Sequence, residues 1–332
     1  MKKEIFALFV LLIFSILLGI TAGSVKTSFH DLVNYLSGKN DVLGYIVFNI
    51  RIPRTLAAAI AGASLAVSGL LLQTYFRNPL AGPYVLGISS AASFGVAMYI
   101  LAGVSLIPGF SFGMYAPAFV ASSLIGSAIA ITVIVLVATR VRSGVTLLII
   151  GLMLGYAFSA VDQILITLAN AKNVQIYVLW TFGTFSGVTW GYLEVMCILL
   201  IPCLIASFLL SKHLNALLLG EDYAATMGVN VRVTRVILMT ISAVLASVVT
   251  AYCGIIAFIG LAIPHVARML LKTSDHRFLI PASILVGGSI SVLCDVIARM
   301  LLNPIELPVS VVTSLFGAPV VIYLVTSRSF RI

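Results

Sequence analysis

Long apolar segments separated by short polar intervals make up nearly the whole chain. A helix needs about 20 mostly apolar residues to cross the hydrocarbon core of a bilayer. Ten segments meet this requirement: residues 5–23, 52–75, 90–107, 114–138, 145–168, 190–210, 233–252, 255–271, 278–298 and 307–326. The sequence has no hydrophilic domain and no long linker between them. The pattern predicts an all-α, polytopic membrane protein with about ten transmembrane helices in a single domain, residues 1–332.

Small residues recur every four positions in two of the predicted spans. The second span has Ala58, Gly62 and Ala66, and the fifth has Gly151, Gly155 and Ser159. Small side chains at this spacing allow helix backbones to approach closely in lipid. Both spans are therefore expected to pack tightly against neighbouring helices.

Glycine and proline interrupt the apolar pattern at two places, residues 78–83 and 254–264. Non-helical backbone at membrane depth is tolerated where protein buries it or where it lines a water-filled cavity. The two breaks are therefore expected to lie inside the protein or along a pathway.

The composition supports lipid as the solvent of this chain. It is 61% hydrophobic and 9% charged, whereas soluble domains carry about 25% charged residues. The net charge of +9 is thus not interpreted as a nucleic-acid-binding surface, because basic residues in membrane proteins mostly mark cytoplasmic loops. The first apolar segment follows Lys2 and Lys3 and lacks a good cleavage site, so it is predicted to be a retained span rather than a signal peptide.

The distribution of basic residues predicts an orientation. If the N-terminus is cytoplasmic, 13 of them fall in inside loops: Lys2, Lys3, Arg77, Arg140, Arg142, Lys212, Arg232, Arg235, Arg268, Lys272, Arg277, Arg328 and Arg331. The other 6 fall outside: Lys26, Lys39, Arg51, Arg54, Lys172 and Arg299. This positive-inside bias predicts that both termini and the polar interval 211–235 are cytoplasmic.

The sequence offers no catalytic constellation. It contains no P-loop, no H-E-x-x-H motif and no nucleophile elbow. Cys197, Cys203, Cys253 and Cys294 all lie in apolar runs, and the four histidines are scattered over different loops, so neither a metal site nor a disulfide framework is indicated. Asp162, alone within a span, is the one residue that favours an alternative, an ion-coupled secondary transporter.

Two polar features stand out. On the outer side, Arg51 and Arg54 flank Pro53 at the start of the second span, and Arg299 lies at the outer end of the ninth, four residues after Asp295. The arginines are interpreted either as interfacial anchors or as a basic rim for an external partner, and Asp295 and Arg299 as a local pair on one helical face. The other feature is the polar interval that begins at Ser211.

Within this interval, Glu221 and Asp222 precede a short helical pattern that ends near Gly228. Acidic residues are favourable in the first turn of a helix, and glycine suits the position after its end. The sequence therefore predicts a helix of about two turns, either an ordinary linker or a helix that docks into a partner. In the second case Ala224, Ala225, Met227 and Val229 are expected to form its apolar contact face.

Motifs over nearly the whole chain resemble those of the permease family of ABC importers for iron–siderophore, haem and cobalamin (type II, FecCD/BtuC-like). They are the stretches 51–56, 68–73, 78–81, 86–90, 219–221, 227–229, 254–261, 264–265, 275–277, 306–309 and 316–319. The resemblance implies a permease subunit that is not itself an enzyme. It implies a functional dimer of two ten-helix permeases in the cytoplasmic (inner) membrane.

The resemblance also implies roles for particular residues. A cytoplasmic coupling helix at about 217–228 contacts the ATPase through Leu217, Gly220, Glu221, Asp222, Ala225, Met227 and Gly228. Arg51, Arg54 and Arg299 form the pocket that receives acidic residues of a binding protein. Asn78, Leu80, Ser143 and Thr146 lie at the cytoplasmic gate.

The implied partners are a cytoplasmic ABC ATPase dimer, an extracytoplasmic substrate-binding protein, a second permease subunit and membrane lipid. No cofactor is expected on this chain, and ATP-Mg belongs to the ATPase. An iron–siderophore chelate is the first choice of substrate, with haem and cobalamin as alternatives.

Overall fold

A computed structural model describes residues 2–23, 25, 35, 37, 42–102, 116–141 and 144–326. The first half contains α1 (Lys2–Thr21), α2 (Val42–Ile46), α3 (Ile52–Phe76), α4 (Ile88–Ala97), α5 (Ala116–Arg140), α6 (Gly144–Leu168) and α7 (Ala171–Thr181). The second half contains α8 (Trp190–Leu209), α9 (Ser211–Leu219), α10 (Glu221–Thr226), α11 (Val231–Cys253), α12 (Ile259–Leu271), α13 (His276–Met300) and α14 (Val309–Thr326).

The structure confirms an all-helical membrane protein. In the part of the chain that it describes, 7 helices are long and apolar enough to cross a membrane. Three shorter apolar helices, Ile88–Leu101, Ile259–Leu271 and Val309–Tyr323, coincide with the three remaining predicted spans. Large apolar side chains on the outward faces of α6 and α8, such as Tyr156 and Ile198 at 63% exposure each, suit contact with lipid.

Three local features differ from the sequence-based expectation. The helix α7 was not predicted, although Asn170 caps it by accepting a hydrogen bond from the Asn173 backbone N–H at 2.9 Å. The second span begins earlier, because α2 continues through a π-helical turn, Val47–Arg51, into α3. The second break is shorter than 254–264, since Pro264 lies inside α12.

The helix α3 forms the centre of the bundle. Every residue from Ala61 to Tyr75 is buried, as expected for a helix that is apolar on all sides. A Cβ at Gly62 would lie 2.2 Å from the Gly287 carbonyl oxygen, and a Cβ at Gly69 would lie 1.6 Å from that of Gly260. Only glycine fits these crossings with α13 and α12, so the predicted close packing of the second span is confirmed.

Long-range contacts define two ends of the bundle. Arg235 at the start of α11 reaches Glu221 and the backbone at the end of α5, and these groups mark what we call the lower end. Arg54 at the start of α3 reaches Asp295 near the end of α13, and these mark the upper end. The two ends carry the two candidate sites.

Candidate functional site

Residues 211–228 form a bent pair of helices at the lower end, here called the elbow. Gly220 joins α9 to α10 with φ = 127°, a backbone conformation that L side chains rarely adopt. Glu221 and Asp222 occupy the first turn of α10, and Gly228 follows its end with φ = 85°. The short helix predicted here, with its acidic first turn and its terminal glycine, is confirmed.

Two arginines fasten the elbow to the bundle. Arg77, which ends α3, donates from Nε and Nη2 to the Leu217 carbonyl oxygen, both at 3.3 Å. Its guanidinium lies so close to Gly220 that a Cβ there would be 2.6 Å from Nη2. Arg235 binds Glu221 at 3.1 Å and lies 5.5 Å from the centre of the Tyr75 ring. The elbow is therefore fixed to α3 and α11 rather than held by a flexible linker.

The outward side of the elbow presents an apolar row. Leu219, Tyr223 and Met227 are 64%, 54% and 60% exposed and are spaced four residues apart. We call them the exposed row. Asp222, Ala225 and Gly228 are also exposed.

Part of the predicted contact face of the elbow is wrong. Ala224 is fully buried, because α10 turns this residue toward the bundle. Leu217 is 2% exposed and packs inward, and Val229 is half-buried. Sequence reasoning missed Leu219 and Tyr223. The i, i+4 spacing of Tyr223 to Met227 could have indicated a common face, whereas Leu219 belongs to α9, before the bend at Gly220.

The first break forms a loop directly after α3. Asn78 accepts a hydrogen bond from the Leu80 backbone N–H at 2.9 Å, and Leu80 is 42% exposed. Thr146 is exposed at the start of α6. This end of α6 lies beside the end of α3, because a Cβ added at Gly144 would be 3.4 Å from the Phe76 ring. Ser143 lies outside the described residues.

The two breaks meet inside the bundle. Residues 82–85, 256–258 and 260–261 line an apolar cavity of about 300 Å³. His265 links them further, since its Nε2 lies 2.8 Å from the Pro79 carbonyl oxygen. The expectation that irregular backbone is buried or lines a cavity is confirmed for Gly82 and Pro83 and for the second break, whereas Leu80 is exposed.

At the upper end, three arginines and two carboxylates form a cluster, here called the arginine pocket. Arg54 binds Asp295 at 2.9 Å and Glu306 at 3.0 Å, and Arg299 binds Asp295 at 3.1 Å. Arg51 donates to the Thr21 carbonyl oxygen at 3.1 Å. The pairing of Asp295 with Arg299 along one helix face is confirmed.

The three arginines are buried rather than spread along an exposed rim. Arg51, Arg54 and Arg299 are only 5–7% exposed, whereas the Glu306 side chain is 49% exposed. Together they border a cavity of about 130 Å³. Three positive and two negative charges leave a net charge of +1, so the pocket suits an acidic group and Glu306 shields it from outside.

Asp162 lies apart from both sites. It is 6% exposed and accepts a hydrogen bond from the Tyr177 hydroxyl at 3.0 Å. That hydroxyl is also 2.6 Å from the Ser93 hydroxyl. These contacts join α6 to α7 and α4 through Oδ2 of this carboxylate, while Oδ1 is buried without a hydrogen-bond partner among the described residues.

Comparison with known proteins places the chain among transport permeases. The model of the FecCD transport family matches residues 11–327. The haemin transport permease HmuU of Yersinia pestis is 36% identical over 320 residues, which cover 96% of this chain and 93% of that protein. The vitamin B12 import permease BtuC of Klebsiella pneumoniae is 37% identical over 324 residues, 97% of this chain and 93% of that protein.

A solved structure has the same fold. It is described as an inward-facing conformation of a metal-chelate type ABC transporter. It superposes with a TM-score of 0.86 at 30% identity and covers 98% of this chain and 99% of that one.

Proposed function

The chain belongs to the FecCD transport family, and from this premise we propose that it carries a metal chelate, with an iron–siderophore complex as first choice, through the inner membrane. It is a permease subunit of an ABC importer and not an enzyme. We further propose that a second copy or a sister chain completes the pathway, and that a separate ATPase dimer binds and hydrolyses ATP-Mg. We also propose that both termini lie in the cytoplasm, because this orientation puts 13 of the 19 basic residues on the inner side.

The observation that carries this proposal is the elbow. It is fastened to α3 and α11 by Arg77 and Arg235, yet it presents an exposed apolar row. Exposed apolar patches beside polar loops mark protein interaction sites. A rigid element of this kind transmits a movement of the ATPase into the helices, whereas a flexible linker would absorb it.

The test of the proposed function is ATP hydrolysis after reconstitution. The chain is combined in proteoliposomes with its cognate ATPase and with a binding protein loaded with ferric siderophore. We expect the loaded binding protein to stimulate hydrolysis, because docking at the upper end and hydrolysis at the lower end are coupled through the bundle. A rate of hydrolysis that does not respond to the loaded binding protein would contradict the proposal.

For the upper end, we propose that the arginine pocket receives acidic residues of the binding protein. The net positive charge and the bordering cavity support this role. Arg54 and Arg299 are buried and paired, so the half-exposed Glu306 carboxylate partly neutralises the positive charge that an approaching partner experiences.

Replacing Glu306 by Gln is expected to accelerate association with the binding protein. The substitution raises the net charge of the pocket from +1 to +2, and charges at an interface rim act mainly on the association rate constant. We expect an increase of about threefold at low salt that disappears at high salt, where the charges are screened. Surface plasmon resonance with the chain in nanodiscs measures the association rate constant at low and at high salt.

A matched control is Glu194→Gln, which removes a carboxylate from the start of α8, outside the pocket. This variant is expected to associate at the rate of the unaltered chain. An unchanged or slower association of Glu306→Gln would remove the pocket from the docking surface.

A further inference from the structure

The last turn of α3 is linked to the elbow through the ring of one buried histidine. His276, the first residue of α13, is 0% exposed. Its Nε2 lies 2.7 Å from the Thr74 hydroxyl of α3, and its Nδ1 lies 2.8 Å from the Asn215 side-chain oxygen of α9. One imidazole therefore bridges two helices from its two nitrogens.

The surrounding hydrogen bonds determine the direction of each bond. The Asn215 side-chain oxygen also accepts the His276 backbone N–H at 2.9 Å, and its amide nitrogen donates to the Asp275 carboxylate at 2.8 Å. Because this oxygen can only accept, Nδ1 must carry the proton and donate. In the neutral ring Nε2 can then only accept, so the single proton of the Thr74 hydroxyl is shared between Nε2 at 2.7 Å and the Leu70 carbonyl oxygen at 2.8 Å.

The far side of the bridge is also held in place. The Asp275 carboxylate caps α13 by accepting the Arg277 backbone N–H at 2.9 Å. The Arg277 guanidinium, 2.7 Å away, together with Asn215, holds the pKa of this carboxyl well below its usual range. The carboxylate therefore stays ionised and keeps Asn215 oriented.

We propose that His276 is a positioning residue that transmits movement of the elbow to the end of α3 and so to the 78–82 loop. This role rests on the proposed function, since the movement comes from the ATPase. Thr74 lies only four residues before Asn78, so a displacement of the last turn of α3 is carried directly into the loop that contains Leu80.

The chemistry of the bridge suits transmission. An imidazole ring is rigid and has only two side-chain torsions. Its hydrogen bond to Thr74 is buried and its bond to Asn215 is partly buried, and a hydrogen bond shielded from water is stronger than one at the surface. The second link, from Arg77 to the Leu217 carbonyl oxygen, is longer at 3.3 Å and comes from an exposed side chain. The histidine bridge is thus the stiffer of the two connections.

A cysteine at Leu80 reports the movement without knowledge of the transported chelate. Leu80→Cys is introduced into the full chain, assembled with the cognate ATPase in nanodiscs. Maleimide labelling at residue 80 is quantified by peptide mass spectrometry, once without nucleotide and once after trapping with ATP and orthovanadate. In the otherwise unaltered chain, we expect the labelling rates in the two states to differ about fivefold or more, the usual size of a coupled transition.

Thr74→Val removes the hydroxyl while keeping the shape of the side chain. In this variant we expect the two labelling rates to become equal while the ATPase stays bound and active. Thr74→Ser, which keeps the hydroxyl, is expected to retain the difference in labelling rate between the two nucleotide states. The matched control is Thr55→Val on the same helix, because Thr55 is fully buried and its hydroxyl has no hydrogen-bond partner among the described residues.

Two further variants test the ring itself. His276→Asn keeps an amide near the position of Nδ1, and His276→Gln reaches toward the position of Nε2, so each preserves one half of the bridge. Both are expected to lose the nucleotide-dependent difference. Thermal stability is measured in parallel, because a merely structural role would lower Tm and leave the difference in labelling intact.

If Thr74→Val, or both histidine variants, kept the full difference in labelling between the two nucleotide states, the transmission role would be overturned and the proposed function would stand. If Leu80→Cys alone were labelled at the same rate in both nucleotide states, the role of the 78–82 loop as a gate would be overturned, and the role of the bridge with it. Failure to bind any ATPase would contradict the proposed function itself.

Discussion

Asp295→Asn is expected to be the most destabilising single substitution in the arginine pocket. The Asp295 side chain is 1% exposed and pairs with both Arg54 and Arg299, whose side chains are each 6% exposed. Removing its charge leaves two guanidinium groups in the interior with Glu306 as their remaining carboxylate. Breaking a buried ion pair from one side costs about 3–5 kcal/mol, and thermal unfolding in detergent measures the loss as a lower Tm.

Glu306→Gln is the comparison within the same cluster. Its carboxylate also binds Arg54, but the side chain is 49% exposed, so water replaces much of the lost interaction. Exposed pairs contribute about 0–1 kcal/mol. If the two variants lowered Tm equally, burial would not explain the stability of the pocket.

Placing charges in the exposed row is expected to have the largest effect on assembly. The double variant Tyr223→Asp with Met227→Asp introduces two carboxylates into the apolar surface that we assign to the ATPase. A hot-spot residue at an interface contributes about 2 kcal/mol or more, so the loss of even one of the two is expected to lower affinity at least about 30-fold. Co-purification and a titration with purified ATPase measure the loss.

Asn230→Asp provides the control for this experiment. It adds a negative charge to the same end of the molecule at an exposed position and keeps the cap that Asn230 provides for α11. ATPase affinity should be preserved. Equal loss in both variants would indicate general charge repulsion, and no loss in the double variant would remove the row from the interface.

Much of the fold could be predicted because lipid imposes a simple rule. A spanning helix must be apolar over its whole length, and each of the ten predicted segments coincides with an observed apolar helix. The short helix Glu221–Thr226 could likewise be predicted from the local sequence, because two acidic residues stand at its start and Gly228 follows its end. Helix α7 was missed because Lys172, Asn173 and Gln175 break its apolar pattern.

The site could be predicted only in part, because its geometry depends on contacts between distant segments. Arg54 and Asp295 are 241 positions apart, and no local pattern indicates that they pair and become buried. The direction in which α10 presents its residues is set by the contact of Arg235 with Glu221 and by the burial of Ala224. The sequence-based assignment therefore placed Ala224 on the wrong face, and it left out Tyr223 although the i, i+4 spacing to Met227 was present in the sequence.

The most direct test of the central claim is the energy source of uptake. Proteoliposomes that contain this chain and its ATPase receive radiolabelled ferric siderophore, haem or cobalamin, each on its own binding protein. Uptake is measured with ATP or a non-hydrolysable analogue inside, with and without ionophores that dissipate ion gradients. We expect uptake of one chelate class that requires ATP hydrolysis and is insensitive to ionophores. Uptake that proceeds without ATP and collapses with the ion gradient would contradict the account and support an ion-coupled transporter.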